Sequence, residues 1–139
     1  MKFSTFIFVS AVIVSCTSKT ETNHSTTSVN VDSLTATFLA GWNNKDSAAI
    51  LNTIAQEAIV MNDSLIHRGH AAIANNWVSG GVKVLSNIQT SSVINGADER
   101  IAYDGGTYTL DLTPPGGPLL KEKGNYSLVW AKQLSLIHI

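Results

Sequence analysis

The apolar positions of this chain change period beyond Gly81. Val31, Leu34, Phe38 and Trp42 recur at three- and four-residue spacing, with Thr35 and Leu39 alongside, which is the stripe of an amphipathic helix. The pattern predicts a helix over 31–44, capped at its start by Asn30 or Asp32. Asn43, Asn44 and Lys45 interrupt it. Asp46 or Ser47 then caps a second, shorter helix over 48–54, with Leu51 and Ile54 turned inward. The short apolar run 58–61 predicts a strand, and Asn62-Asp63-Ser64 a turn. Gly69 precedes a third helix over 70–79. Ile73 and Trp77 stack one turn apart on it, and Gly80-Gly81 is its expected stop.

Beyond Gly81 the period becomes two. Residues 82–94 alternate, with Val82, Val84, Ser86, Ile88 and Thr90 on one face, and residues 95–98 turn the chain. A strand over 101–104 meets Gly105-Gly106, a bulge or bend, and continues over 107–113 with Tyr108, Leu110 and Leu112 on one face. Residues 114–118, Pro-Pro-Gly-Gly-Pro, form a loop. The last long strand covers 119–132, with Tyr126, Leu128 and Trp130 sharing a face. Three helices with one strand among them, then three long antiparallel strands, predict an α+β fold: a curved sheet with helices on one side.

The N-terminus follows different rules. Lys2 is followed by the apolar stretch 3–14, then Ser15 and Cys16. The stretch is short of the roughly 20 apolar residues that cross a bilayer. It has the layout of a secretory signal, with a basic start, an apolar region and a small residue before the cut. Ile13-Val14-Ser15-Cys16 goes further and reads as a lipobox, with Cys16 as the lipidated residue. The expected division is a signal peptide over 1–15, a flexible Ser/Thr-rich tether over 16–30 and one domain over 31–139. The tether is almost free of apolar residues and cannot offset its ordering entropy by burial. Cys16 is the sole cysteine of the 139 residues, so no intrachain disulfide can form. The implied location is the cell envelope, lipid-anchored, with the domain in the periplasm or at the cell surface. Thr17, which is not aspartate, favours the outer membrane.

The formal net charge is −1 and the charges are interspersed. With no basic stripe, nucleic acid is not an expected partner. No sequence motif calls for a cofactor.

The ordered set Phe38…Trp42-Asn43-Asn44-Lys45-Asp46, Ala58-Ile59-Val60-Met61 and Arg68-Gly69-His70-Ala71-Ala72-Ile73 resembles the first half of the nuclear transport factor 2-like superfamily. That group includes SnoaL-like polyketide cyclases and ketosteroid isomerases. Tyr103-Asp104-Gly105-Gly106-Thr107-Tyr108 and Gly124-Asn125-Tyr126…Trp130 resemble its second half. The resemblance implies a cone-shaped α+β barrel, with a sheet bent around the first helix and a pocket at the wide end. It also implies a longer last strand than residues 134–139 offer. The domain is therefore expected to be cut short there, leaving the strand edge over 126–131 unpaired.

An isomerase of this family needs a carboxylate base and acidic donors for the developing enolate. The resemblance carries the base position to Asn62, an amide, and the tyrosine donor to Phe38, which has no hydroxyl. A second donor falls near Asn125 or Tyr126. No catalytic residue is assigned on this basis; Asp63 and His67 are the weak candidates. His67, His70 and Asp63 lack a complete metal-ligand set, so no metal is expected. Asp104 and Asp111 read as solvating charges at strand edges, and Glu99-Arg100 as a surface pair. The expected ligand pocket is Phe38, Asn62, Trp77, Tyr108 and Tyr126, an aromatic wall with polar handles suited to a small hydrophobic molecule. Three functions follow: a lipid-anchored binding or accessory domain, a SnoaL-like isomerase, cyclase or hydrolase, and a homodimeric interaction module.

Overall fold

A computed structural model describes residues 29–132. The signal, Cys16, most of the tether and residues 133–139 lie outside the described residues. Helix α1, Val31–Asn43, is capped by Asn30, whose side chain accepts from the Ser33 N–H at 3.0 Å. Helix α2, Ser47–Asn52, is capped in the same way by Asp46 through the Ala49 N–H at 2.9 Å. Each cap satisfies an N–H that the helix cannot.

Between α2 and the third helix lie two short strands where one was expected. β1, Ile59–Asn62, and β2, Leu65–Arg68, form an antiparallel hairpin turned at Asp63-Ser64. Asp63 takes φ +52 in that turn, a conformation its short polar side chain tolerates. Gly69, at φ +80, redirects the chain into the next helix.

The third helical run continues through Gly80-Gly81 instead of stopping there. It comprises α3, His70–Ile73, a π-helical turn, Ala74–Val78, and α4, Ser79–Val84. Gly81 has a packing role. A Cβ there would sit 2.7 Å from the Trp42 ring, so the helix passes this indole only as glycine. The π turn has a reason of the same kind. Residues five apart in a regular α-helix diverge by roughly 140°, but Ile73 and Val78 are both fully buried in one core cluster with Trp42 and Ile50. The wider turn brings both onto the core side.

The long strands β3, Leu85–Ala97, β4, Ile101–Leu112, and β5, Leu120–Ala131, form an antiparallel sheet in the order β3-β4-β5. Residues 82–84, expected in the first of these strands, are helical, and the turn falls at 98–100 rather than 95–98. β4 is continuous. The irregularity expected at Gly105-Gly106 lies opposite them, on β3, where the register slips between Ser92 and Ile94. A second slip separates Ser86 from Gln89. Each puts an extra residue into β3 and bends it. Gly106 allows the close approach, because a Cβ there would overlap the Ser91 carbonyl.

The result is α+β, with helices against the inner face of a bent antiparallel sheet. The hairpin and the three-stranded sheet share no ladder among the described residues, so no closed barrel forms there. α1 lies along β3. Asn43, at its C-terminal end, accepts from the Ile88 N–H at 2.8 Å and donates to the Ile88 carbonyl at 3.0 Å, and Lys45 donates to the Leu85 carbonyl. The Asp32 end lies beside Asn95 at 3.4 Å.

Candidate functional site

Strand alternation places Asp104 on the inner face with Tyr108, Leu110 and Leu112. It is 2% exposed and not a solvated edge charge. Thr35, from α1, donates to its Oδ2 at 2.7 Å. Ser92, from β3, donates to Oδ1 at 2.6 Å, and Tyr126, from β5, to Oδ2 at 2.9 Å. The Gly105 N–H adds a fourth donor. One carboxylate thus joins a helix and three strands.

Burial pushes the Asp104 carboxyl up, but the hydroxyls of Ser92, Thr35 and Tyr126 and the Gly105 N–H outweigh it and hold the group below the usual carboxylate range. Tyr126 responds in the opposite sense. Burial and the hydrogen bond to the Asp104 anion raise its phenol, while the Thr90 and Ser92 hydroxyls act against this. At neutral pH the pair is a fixed anion with a phenol donating to it. Such a carboxylate is a poor proton acceptor, because every donor around it favours the charged form.

The sequence-derived candidates separate into three places. Phe38 and Trp77 flank Trp42, with ring centroids 6.2 and 4.9 Å away in edge-on geometry, and pack on the core cluster. Tyr108 and Tyr126 are half-buried on the inner face, in adjacent rows, and the Tyr108 ring lies over Gly124. Asn62 and Asp63 are exposed at the hairpin turn, and His67 is half-buried opposite Val60. His70 Nε2 lies 3.2 Å from the Leu51 carbonyl, which ties α3 to α2. Asp63 and His67 therefore sit on the hairpin, outside the Asp104 cluster, and Tyr126 is the predicted residue that belongs to that cluster.

Thr35, Ser92 and Asp104 were missed. A signal was present for Asp104, since it shares the alternation phase of Tyr108, Leu110 and Leu112. A charge in an otherwise inward-facing row calls for buried partners.

The bent antiparallel sheet, three-part helical layer and leading hairpin define the fold well enough to compare. The chain has the nuclear transport factor 2-like fold. A ketosteroid isomerase-like protein from Erwinia carotovora atroseptica superimposes with a TM-score of 0.65 at 11% identity, over 74% of this chain and 82% of that one. A nuclear transport factor 2-like superfamily protein from Salmonella enterica gives 0.62 at 16% identity, over 74% and 78%. An LEH-like epoxide hydrolase from Mycobacterium tuberculosis gives 0.54 at 15% identity, over 74% and 73%. No family model matches the sequence, and no curated protein matches it.

Within the nuclear transport factor 2-like fold, the inner sheet face holds half-buried Leu128 opposite Asp104, Trp130 in the next row, and Tyr108 and Leu110 further along in the other direction. These side chains offer apolar and aromatic surface next to one fixed anion. Towards the Leu112 end of the sheet, a cleft of about 420 Å³ is lined by residues of both faces, Leu110 and Glu122 together with Thr109, Asp111, Lys121 and Lys123. Asp111 is also buried, at 6% exposure, and not a solvated edge charge. Lys121 Nζ reaches its Oδ1 at 2.7 Å and Asn87 Nδ2 its Oδ2 at 2.6 Å. Those two hydrogen bonds, Lys121 first, hold its carboxyl below the usual range, against the effect of desolvation. Among the described residues no three His, Cys, Asp or Glu side chains come together to hold a metal.

Proposed function

We propose that this chain is a binding or accessory domain of the cell envelope that takes a small, mostly apolar molecule on the inner face of its sheet and is anchored by lipid on Cys16. The observation that carries the binding reading is the Asp104 cluster. The inner face has aromatic and aliphatic surface for an apolar body, and its buried acid is saturated by Thr35, Ser92, Tyr126 and Gly105. A ligand hydroxyl or amine can exchange with one of these donors, whereas proton abstraction would have to overcome all of them. Asn62 and Phe38, at the positions where an isomerase would carry its base and tyrosine, support the same reading.

A second reading is a SnoaL-like isomerase, cyclase or hydrolase of a small hydrophobic substrate. It would need the single Tyr126 O–H, donated to Asp104 at 2.9 Å, to turn to the developing negative charge of a substrate. Two variants separate the readings. Tyr126→Phe should weaken ligand binding, measured by native mass spectrometry of whatever co-purifies, without any turnover to lose. Asp63→Ala with His67→Ala should leave binding unchanged. Substrate conversion by the parent chain that disappears in Tyr126→Phe would replace the first reading with the second. A homodimer is the remaining partner proposal, and sedimentation tests it; a purely monomeric species removes it.

A further inference from the structure

The outer face of the sheet carries exposed apolar side chains at one end. Val93, the residue bulged out of register, is 79% exposed, Val129 is 68%, Ile94 is 60%, Ile101 is 45% and Tyr103 is 39%. They are contiguous by register. Gly96, Tyr103 and Val129 form one row, Ile94 pairs with Gly105 in the next, and Ile101 pairs with Ala131 beyond. The glycines make the exposure possible. The Tyr103 ring lies over Gly96 and Ile94 lies against Gly105, so both side chains stand on bare backbone. Towards the other end of this face the rows turn polar, through Ser91, Thr107 and Asn125 to Gln89, Thr109 and Lys123.

The position of this patch relative to the N-terminal segment is the second observation. Asn95, one residue beyond Ile94, contacts Asp32 in the first turn of α1, and Thr35 contacts Asp104 in the same cross-strand row as Asn95. Residue 29 therefore leaves the domain at the apolar end of the sheet. The steps from Cys16 to Val29 extend at most about 45 Å even when fully stretched. A lipid on Cys16 would keep this end near the bilayer at an effective concentration on the order of millimolar.

We infer that the Val93–Ile94–Ile101–Tyr103–Val129 patch rests on the lipid surface and orients the anchored domain. The inference builds on the Cys16 anchor proposed above. The attraction is apolar. Arg100 and Lys132 at this rim are offset by Asp98 and Glu99, and Asp98 accepts from the Arg100 and Ile101 N–H groups at 2.7 and 2.8 Å. Tyr103 suits the interface, with a ring for the acyl boundary and a hydroxyl for the headgroups. Weak intrinsic affinity is enough, because one acyl anchor plus a second contact holds far better than either alone. The inner face and the helices packed on it then lie on the side of the sheet away from the lipid.

The test uses the lipidated chain in phosphatidylethanolamine–phosphatidylglycerol vesicles, with a fluorescent nitrobenzoxadiazole label on Val93→Cys or, as the control, on Lys123→Cys. Lipid on Cys16 leaves the introduced thiol as the one free to react. Brominated acyl chains should quench the label at 93 and leave the label at 123 at its solution intensity, and high salt should not change this. Ile94→Asp should return the label at 93 to solution intensity. Equal and absent quenching at both positions overturns the inference, as does a dimer in sedimentation that shields the label at 93 from added aqueous iodide. If the chain carries no lipid, the anchor reading fails separately. The chain labelled at 93 in a Cys16→Ser background and added to the same vesicles then decides the patch alone, with quenching at 93 supporting it and none overturning it.

Discussion

Asp104 and Asp111 lie seven residues apart on β4, so alternation puts them on opposite faces of one sheet. Both are buried, and both carboxyls are held below their ordinary range. Their partners differ. Asp104 is held by three neutral hydroxyls from α1, β3 and β5 and by a backbone N–H. Asp111 is held by the ammonium of Lys121, whose side chain is 79% exposed, and by Asn87, which adopts φ +51 at a bulge of β3. The inner carboxylate gathers elements distant in sequence, and losing it would leave donors on α1, β3 and β5 without their acceptor. The outer one is paired with a solvated side chain that water can replace. Equal burial of two carboxylates therefore conceals unequal contributions to the fold.

The largest effect should come from Asp104→Ala. It leaves three hydroxyls and an N–H in a buried site without their acceptor, at a cost of about 3 kcal/mol, read as a lowered midpoint in urea denaturation. Tyr126→Phe and Thr35→Val each remove one hydrogen bond to the anion and should cost about 1.5 kcal/mol apiece. Their double variant should lose more than the sum, because both donors share Oδ2 and either one left in place still satisfies part of it. A full sum would mean that the hydroxyls act independently and that Asp104 is no hub.

The pH dependence follows from the direction of the shifts. Both carboxyls have lower pKa values folded than unfolded, so they stabilise the fold above the unfolded carboxylate range, about 4. That contribution fades as the pH falls through the lower folded values. Asp104→Asn should flatten the acid limb of a stability–pH curve. Tyr126 has the opposite sign. Its raised phenol contributes fully below the unfolded tyrosine value, about 10, and loses that contribution as the pH rises through the folded one. Tyr126→Phe should therefore be relatively less destabilising at high pH. The smallest effect belongs to Lys121→Ala, which should shift the urea midpoint less than Tyr126→Phe does, and less still in high salt. A shift as large as that of Asp104→Ala would erase the distinction between the two faces.

The sequence made the helix caps, the α+β order and the long strands legible, because Asn30, Asp46 and the change of period are local signals. Its errors share a cause. Gly80-Gly81 reads as a helix stop until the Trp42 ring, brought in by α1, is seen to require a bare backbone at Gly81. The second hairpin strand was missed because Leu65-Ile66-His67-Arg68 is short and gains its identity only by pairing with Ile59–Asn62. Asp104 and Asp111 read as solvated because alternation tells which residues share a face but not what covers that face. Thr35 and Ser92 carry no local sign of function at all. They become a site only when α1 is laid across the sheet.

The central claim is that the buried acid of the inner face is a fixed anion and not a base. Carbon-detected NMR titration of the Asp104 carboxyl, assigned by comparison with Asp104→Asn, tests it most directly. The account predicts a single titration below the ordinary aspartate range, with Tyr126 protonated throughout. An Asp104 carboxyl that titrates near neutrality would contradict it and would identify a general base poised for catalysis.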